Sequence, residues 1–458
     1  MTEKPAGWAA WQSRLMERVE GLASGRDPLD DETRRRAALV VVDDLAAMVA
    51  GAREPEVDRL SSQAAGRVAS SESLHVTGRR SERSWAALVN AVAANWNELD
   101  EGYRPATCHG GLYALPAALA EVEARGGSLG DLMTALVVGY EVATAYARAL
   151  PPERPLLLHP HATLAPMGAA AAVASARGES GPGIAPAVAV AATFAAVGPF
   201  QHATDGVLVR NGWAGHGAMA GFTAVEMAEA GIGADESAPF TVLHECLGYP
   251  VNERELSHTP DRWAIHDGYH KSYACCQYAH SAVEAALELI TGPLSGVPSQ
   301  RITEVVVAAH PLALSLDSTE PSTVLGGKFS VPHSVGAVLS QRSSQHIVFS
   351  GSLLDDPEVA RLRACTRLEP YEGDLVPPHD RPSRVTVTLD SGEVFEAVCL
   401  SAVGGPDRPL MESDVLDKVS LLTDESAPRF RSLAEQLVVG GIPTTVRWSD
   451  VLEEMWTP

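Results

Sequence analysis

Two stretches of this chain, Ala169–Ala176 and Pro186–Val197, are so rich in alanine that they call for helices packed deep in a core with their backbones close together. Alanine costs little to place in a helix, and its single methyl group leaves nothing to fill a loose interface. Helical spacing recurs around both stretches. Asp30 or Asp31 is placed to cap a helix that carries Ala37, Val40, Val41, Leu45 and Met48 on its apolar side. Trp85–Trp96, Leu115–Ala124 and Ala218–Ala230 continue the pattern. Gly126-Gly127 ends one helix, Ser128 caps the next, and Leu132, Leu136 and Tyr140 line one face of it. Such short links join antiparallel helices.

The pattern changes near residue 265. Thr303–Ala309 and Arg384–Leu389 are β-branched runs expected in one sheet, with Ser391-Gly392 as a turn and Glu393–Leu400 as a hairpin partner. Helices are expected at Ser281–Leu289 and Ser334–Leu339, and helical spacing returns from Asp414 through Lys418, Leu433 and Leu437. The fold class predicted is mainly α: a large discontinuous all-helical domain, 1–264 and 405–458, with a smaller α+β domain inserted at 265–404.

A chain of 458 residues can bury a sizeable core, and 45% hydrophobic content excludes a disordered one. The net charge of -23 argues against nucleic acid and anionic membranes as partners. Cys108, Cys246, Cys275, Cys276, Cys365 and Cys399 form no C-x-x-C pair, which fits a reducing compartment and no structural metal. The first residues, M-T-E-K-P-A-G-W, carry no apolar signal core, and Ile184–Phe200 is too short to span a bilayer. A soluble, cytoplasmic protein is expected. Lysine is scarce: Lys4, Lys271, Lys328 and Lys418 are all there are. Lys271 and Lys328 sit in apolar segments, where a cation needs a reason.

Between Asn95 and Ala120 the chain reads N-W-N-E-L-D-E-G-Y-R-P-A-T-C-H-G-G-L-Y-A-L-P-A-A-L-A. Glu98, Asp100, Glu101 and His109 thus fall in a break between two apolar helices, where rigid flanks can fix acid and base groups. Gly110 and Gly111 leave room beside His109, and Pro116 suits the first turn of the following helix.

Seven segments in one order resemble the MmgE/PrpD, or 2-methylcitrate dehydratase, family. They are the stretch just quoted; G-Y-E-V at 139–142; H-P-H-A-T-L-A-P-M-G-A-A-A-A at 159–172; D-G-V-L-V-R-N-G-W-A at 205–214; K-S-Y-A-C-C-Q-Y-A-H at 271–280; K-F-S-V-P-H-S-V at 328–335; and R-P-S-R-V-T-V-T-L-D-S-G ahead of G-G-P-D-R-P-L. The resemblance implies a helical domain with an α+β lid, a homodimer, and an active site between the domains. It also implies chemistry on a small carboxylate substrate with no metal and no organic cofactor. Members of that family dehydrate 2-methylcitrate, decarboxylate cis-aconitate or epimerise iminodisuccinate, all at a carbon next to a carboxylate.

Carried over residue by residue, the resemblance makes Asp100, His109, His159, Lys271 and His333 the catalytic candidates. His159 stands nine residues before Gly168, as the family's histidine does, with His161 in reserve. Thr107, His161, Arg210 and His280 are the substrate-binding candidates. His333 replaces the tyrosine that commonly follows K-F-S, and Arg210 stands where the itaconate-forming branch offers a lysine. Cys276 takes a position that is histidine in that branch, and reads as a buried, inert thiol. The expected function is a dehydratase-like lyase on a di- or tricarboxylic acid. An isomerase or decarboxylase using the same proton chemistry is the alternative, and a non-catalytic binding protein is a third.

Overall fold

Asp30 caps the helix Asp31–Gly51 by accepting a hydrogen bond from the Thr33 amide, an arrangement typically stabilising by about 1 kcal/mol. The computed structural model describes residues 4–67, 71–152, 155–405, 407–423 and 427–456. The protein is mainly α with a smaller α+β region, and the chain divides into two units. One comprises Met1–Pro199, Asn211–His270 and Met411–Pro458; the other comprises Phe200–Arg210 and Lys271–Leu410. The sequence pattern gives no sign that Phe200–Arg210 groups with the second unit.

The first unit is built from the helices Arg83–Trp96, Gly110–Ala124, Leu129–Ala149, Ala165–Arg177 and Trp213–Glu229, packed on one another and, at Arg83–Trp96, on Asp31–Gly51. Small residues set the spacing. A Cβ added at Gly139 would lie 2.6 Å from the Gly168 carbonyl oxygen, so these two helices touch along their backbones. Ser128 and Asp131 form a reciprocal capping box at the start of Leu129–Ala149. The unit is not purely helical: Ser73–Leu74 pairs with Arg80–Ser81, and Gly102–Tyr103 pairs with Gly268–Tyr269, both antiparallel.

Several helix boundaries differ from those expected, and two of them shape the site. The helix predicted from Leu115 starts at Gly110, directly after His109, which places Pro116 inside it rather than in its first turn. Gly110 and Gly111 do not interrupt this helix. They admit neighbours, since a Cβ would come within 2.6 Å of the Tyr140 ring at the first and 2.5 Å of Asp44 Oδ2 at the second. The helix expected to reach Val197 stops at Ala192. The chain leaves it so that the Ala196 amide can donate to the Ala162 carbonyl (2.9 Å) and the Gly198 carbonyl can accept from the His159 amide (2.8 Å).

In the second unit Ile302–Ala309 and Ser383–Leu389 pair antiparallel at the centre of a four-stranded sheet, and Val394–Cys399 completes the hairpin. Thr366–Pro370, not expected from sequence, adds a parallel edge. The alternation along S-R-V-T-V-T-L buries Ser383, Val385, Val387 and Leu389. The helix His280–Thr291 packs on this sheet and on the helix Val331–Gln341. Among the described residues, no helix is long and apolar enough to cross a membrane.

Candidate active site

The helix Arg83–Trp96 ends in a turn in which Glu98 adopts φ 54, a left-handed conformation that is unfavourable for any residue with a Cβ. That turn delivers Asp100, fully buried, to the ring of His109, the N-cap residue of Gly110–Ala124. His109 Nδ1 lies 2.5 Å from Asp100 Oδ2. A carboxylate only accepts, so Nδ1 carries a proton and donates it to Asp100. The His109 side chain keeps 17% of its surface exposed, whereas Asp100 keeps none. This is a histidine whose ring is oriented by a buried carboxylate.

Two more histidines stand beside it. His159 caps the short helix Pro160–Thr163, its Nδ1 accepting from the His161 amide at 3.2 Å. Nδ1 as an acceptor places the ring proton on Nε2, so His159 offers a neutral N–H donor. The His161 ring lies between the other two, with centroids 4.8 Å from His109 and 4.3 Å from His159. Tyr113, one helical turn beyond His109, bonds His161 Nδ1 through its hydroxyl at 2.8 Å. Sequence reasoning passed over Tyr113, although its spacing of four from His109 on a helix was a usable signal. Thr107 lies in the same loop, partly exposed, in the turn that Tyr103 closes by donating its amide to Cys108 (3.0 Å).

Next to Asp100 lies a sealed group of charges that the sequence reading did not assemble. Asp43 pairs with Lys418 Nζ at 2.6 Å and with His270 Nδ1 at 2.8 Å. Burial works against the Asp43 charge, yet Lys418 and His270 together hold its carboxyl below the ordinary value. Burial, followed by the charge of Arg36, pushes His270 down to about 4. His270 is therefore neutral, accepting from Arg36 at Nε2 (2.6 Å) and donating from Nδ1. Glu101 accepts from the Tyr140 hydroxyl at 2.7 Å, with Arg36 Nη2 3.8 Å away. Burial pushes Glu101 up to about 8 against the pull of Arg36 and Tyr140. Burial, with repulsion from Glu101, Asp43 and Asp100, holds Asp44 well above its usual range.

The remaining candidates belong to the second unit. Lys271 is 1% exposed, and Lys328 and Arg210 are buried as well. The Arg210 guanidinium lies 5.0 Å from the centre of the Phe329 ring. The Cys276 amide donates to the Lys328 carbonyl (2.9 Å), which ties the Lys271–His280 segment to K-F-S-V-P-H, and the Cys276 thiol is buried. His280 opens the helix His280–Thr291, with Nε2 3.2 Å from the Cys275 carbonyl oxygen, a hold typical of a structural histidine. His333 receives the Ser330 cap at its amide and faces Arg363 Nη1 across 3.1 Å at Nδ1. Burial, then the Arg363 charge, lowers His333 to about 4, so it is a neutral ring with its proton on Nε2. Among the described residues, no group of three or more His, Cys, Asp or Glu is arranged to hold a metal ion.

Comparison with known families settles the ancestry. The MmgE/PrpD N-terminal domain matches residues 19–242, and the MmgE/PrpD C-terminal domain matches residues 273–439. The chain belongs to the MmgE/PrpD family. No curated protein matches it. MmgE/PrpD proteins are enzymes, and membership points to dehydratase- or lyase-type activity on carboxylic acids. The N-terminal match spans Asp100, His109, His159, His161 and Arg210, and the C-terminal match spans His280, His333 and also Lys418, which folds with the first unit. Lys271 falls between the two MmgE/PrpD matches.

Proposed function

We propose that this MmgE/PrpD protein is a dehydratase-like lyase acting on a small di- or tricarboxylic acid, and that His109 is its base. The observation that supports this reading is the 2.5 Å contact of Asp100 with His109 Nδ1, which orients the ring of the proposed base. The proton removed is the one on the carbon next to a carboxylate, and its electron pair then expels the group on the adjacent carbon. His159 is proposed to stabilise developing negative charge through its Nε2–H, as a neutral imidazole donor does elsewhere. Lys271 and Arg210 are proposed as the cations for the substrate's carboxylates.

A panel of di- and tricarboxylates tests this with wild type and His109→Ala. With an accepted substrate, kcat should fall ~10²–10⁴-fold, the usual contribution of general acid–base catalysis. Turnover near that of wild type would remove His109 as base. Reaction in deuterated water separates elimination from isomerisation: a lyase releases an alkene product, whereas label appearing in inverted or unreacted substrate identifies an epimerase.

A further inference from the structure

Asp100 is held through the backbone on both of its sides. Lys418 Nζ, itself paired with Asp43, donates to the Leu99 carbonyl at 2.7 Å. The Glu101 amide donates to Asp44 Oδ1 at 2.7 Å. Asp43 and Asp44 are neighbours on the helix Asp31–Gly51, and Lys418 comes from Glu412–Thr423, which packs against it. All three side chains are buried or nearly so. The turn they grip contains the left-handed Glu98, a backbone conformation that persists only where surrounding structure imposes it.

We propose that Lys418 and Asp44 are positioning residues for the Asp100–His109 pair. Each bonds a peptide group next to Asp100, and together they fix the direction in which its carboxylate leaves the backbone. A rotation of either peptide would swing Oδ2 away from His109 and lengthen a 2.5 Å contact. The ring of His109 would then lose its fixed tautomer, and Nε2 would carry the proton in part of the molecules. On this view the return of the chain to the helical unit after residue 410 supplies a lysine that sets the base without touching the substrate. The inference rests on the reading of His109 as base, but its test does not require turnover.

The test is the ¹⁵N spectrum of the full-length protein labelled at histidine, with His109 assigned from the signals lost in His109→Gln. Wild type and Lys418→Arg should show Nδ1 protonated and Nε2 not. Lys418→Met leaves Asp43 without its cation, so the double variant Lys418→Met/Asp43→Asn is compared with it. That double variant, and Asp44→Ala, should give averaged His109 shifts while circular dichroism and cooperative unfolding remain those of a folded protein. With an identified substrate, kcat should drop about tenfold or more with KM within twofold, the split expected of a group that acts on the transition state. Unchanged His109 shifts in a folded double variant would overturn the proposal. Altered shifts with unaltered kcat would uphold the positioning and reject His109 as base.

Discussion

The histidine group and the carboxylate group of the first unit meet at consecutive residues, Asp100 and Glu101, yet they handle protons in opposite ways. Asp100 turns toward the partly exposed ring of His109, and in the proposed reading its charge orients a base. Glu101 turns toward Tyr140, Arg36 and Asp44; its own side chain is fully buried, and burial raises the proton affinity of both carboxyls. Local sequence is nearly the same for both. What separates them is the direction of each side chain relative to the helix Asp31–Gly51, whose Asp44 holds the peptide between them. In the proposed reading this acidic cluster is two devices: a part that orients a proton acceptor and a part that anchors it.

The sharpest way to break this comparison is to make the same change in both parts. Asp100→Asn keeps the shape but turns an acceptor toward Nδ1 into one that can flip and donate, so it disfavours the productive tautomer. Its kcat should fall ~10²–10⁴-fold, comparable to loss of the base. Asp44→Asn retains an oxygen for the Glu101 amide and replaces a carboxyl whose proton affinity burial raises well above the usual range. Its kcat should fall by about tenfold or less, since the backbone bond that positions Asp100 survives. Steady-state kinetics on the pair decides the matter, and equal losses would merge the two groups into one.

A smaller effect is expected from the cations. Lys271→Ala should raise KM about tenfold while changing kcat little, as expected if Lys271 holds a carboxylate remote from the reacting carbon. A loss confined to kcat would instead place Lys271 at the reacting centre.

Much of this architecture was legible beforehand for identifiable reasons. The alternation in R-V-T-V-T-L and the caps at Asp30 and Ser128 are local signals, and they produced the expected strand and helices. The break after Trp96 stood out because charges are rare inside alanine-rich helices. Thr366–Pro370 was missed because T-R-L-E-P is short and charged, and its pairing with Ile302–Ala309 is parallel and distant in sequence. Pro116 misled because two glycines look like a helix break, when here they serve close packing. Lys418 was invisible: in L-D-K-V-S it reads as an ordinary helix-surface lysine, and its partners Asp43 and Leu99 are more than three hundred residues away. Of the site, Asp100, His109, His159 and His161 lie together in the first unit, whereas Lys271, Arg210, His280 and His333 lie in the second.

The smallest expected effect concerns stability and isolates the buried carboxyls alone. Glu101 in the folded protein sits at about 8, above its ordinary 4.5, and Asp44 is raised in the same sense. A folded-state value above the unfolded one means that the native protein binds the proton more tightly. Its stabilisation is therefore present at low pH and is lost as pH rises through the folded value. The buried histidines act the other way: His75, His270 and His333 are each pushed to about 4, so their contribution is lost as pH falls from 6.5 toward 4. Between pH 7 and 8.5 the histidines are mostly neutral in both states, and comparing a carboxyl variant with wild type cancels what remains of their slope. One such group contributes at most about 1.4 kcal/mol per pH unit. Glu101→Gln keeps an acceptor for Tyr140 but cannot ionise, so urea unfolding of this variant should lose less stability between pH 7 and 8.5 than wild type does. An identical decline in both proteins would mean that Glu101 is already ionised at neutral pH, and the distinction between an orienting and an anchoring carboxyl would fail at that residue.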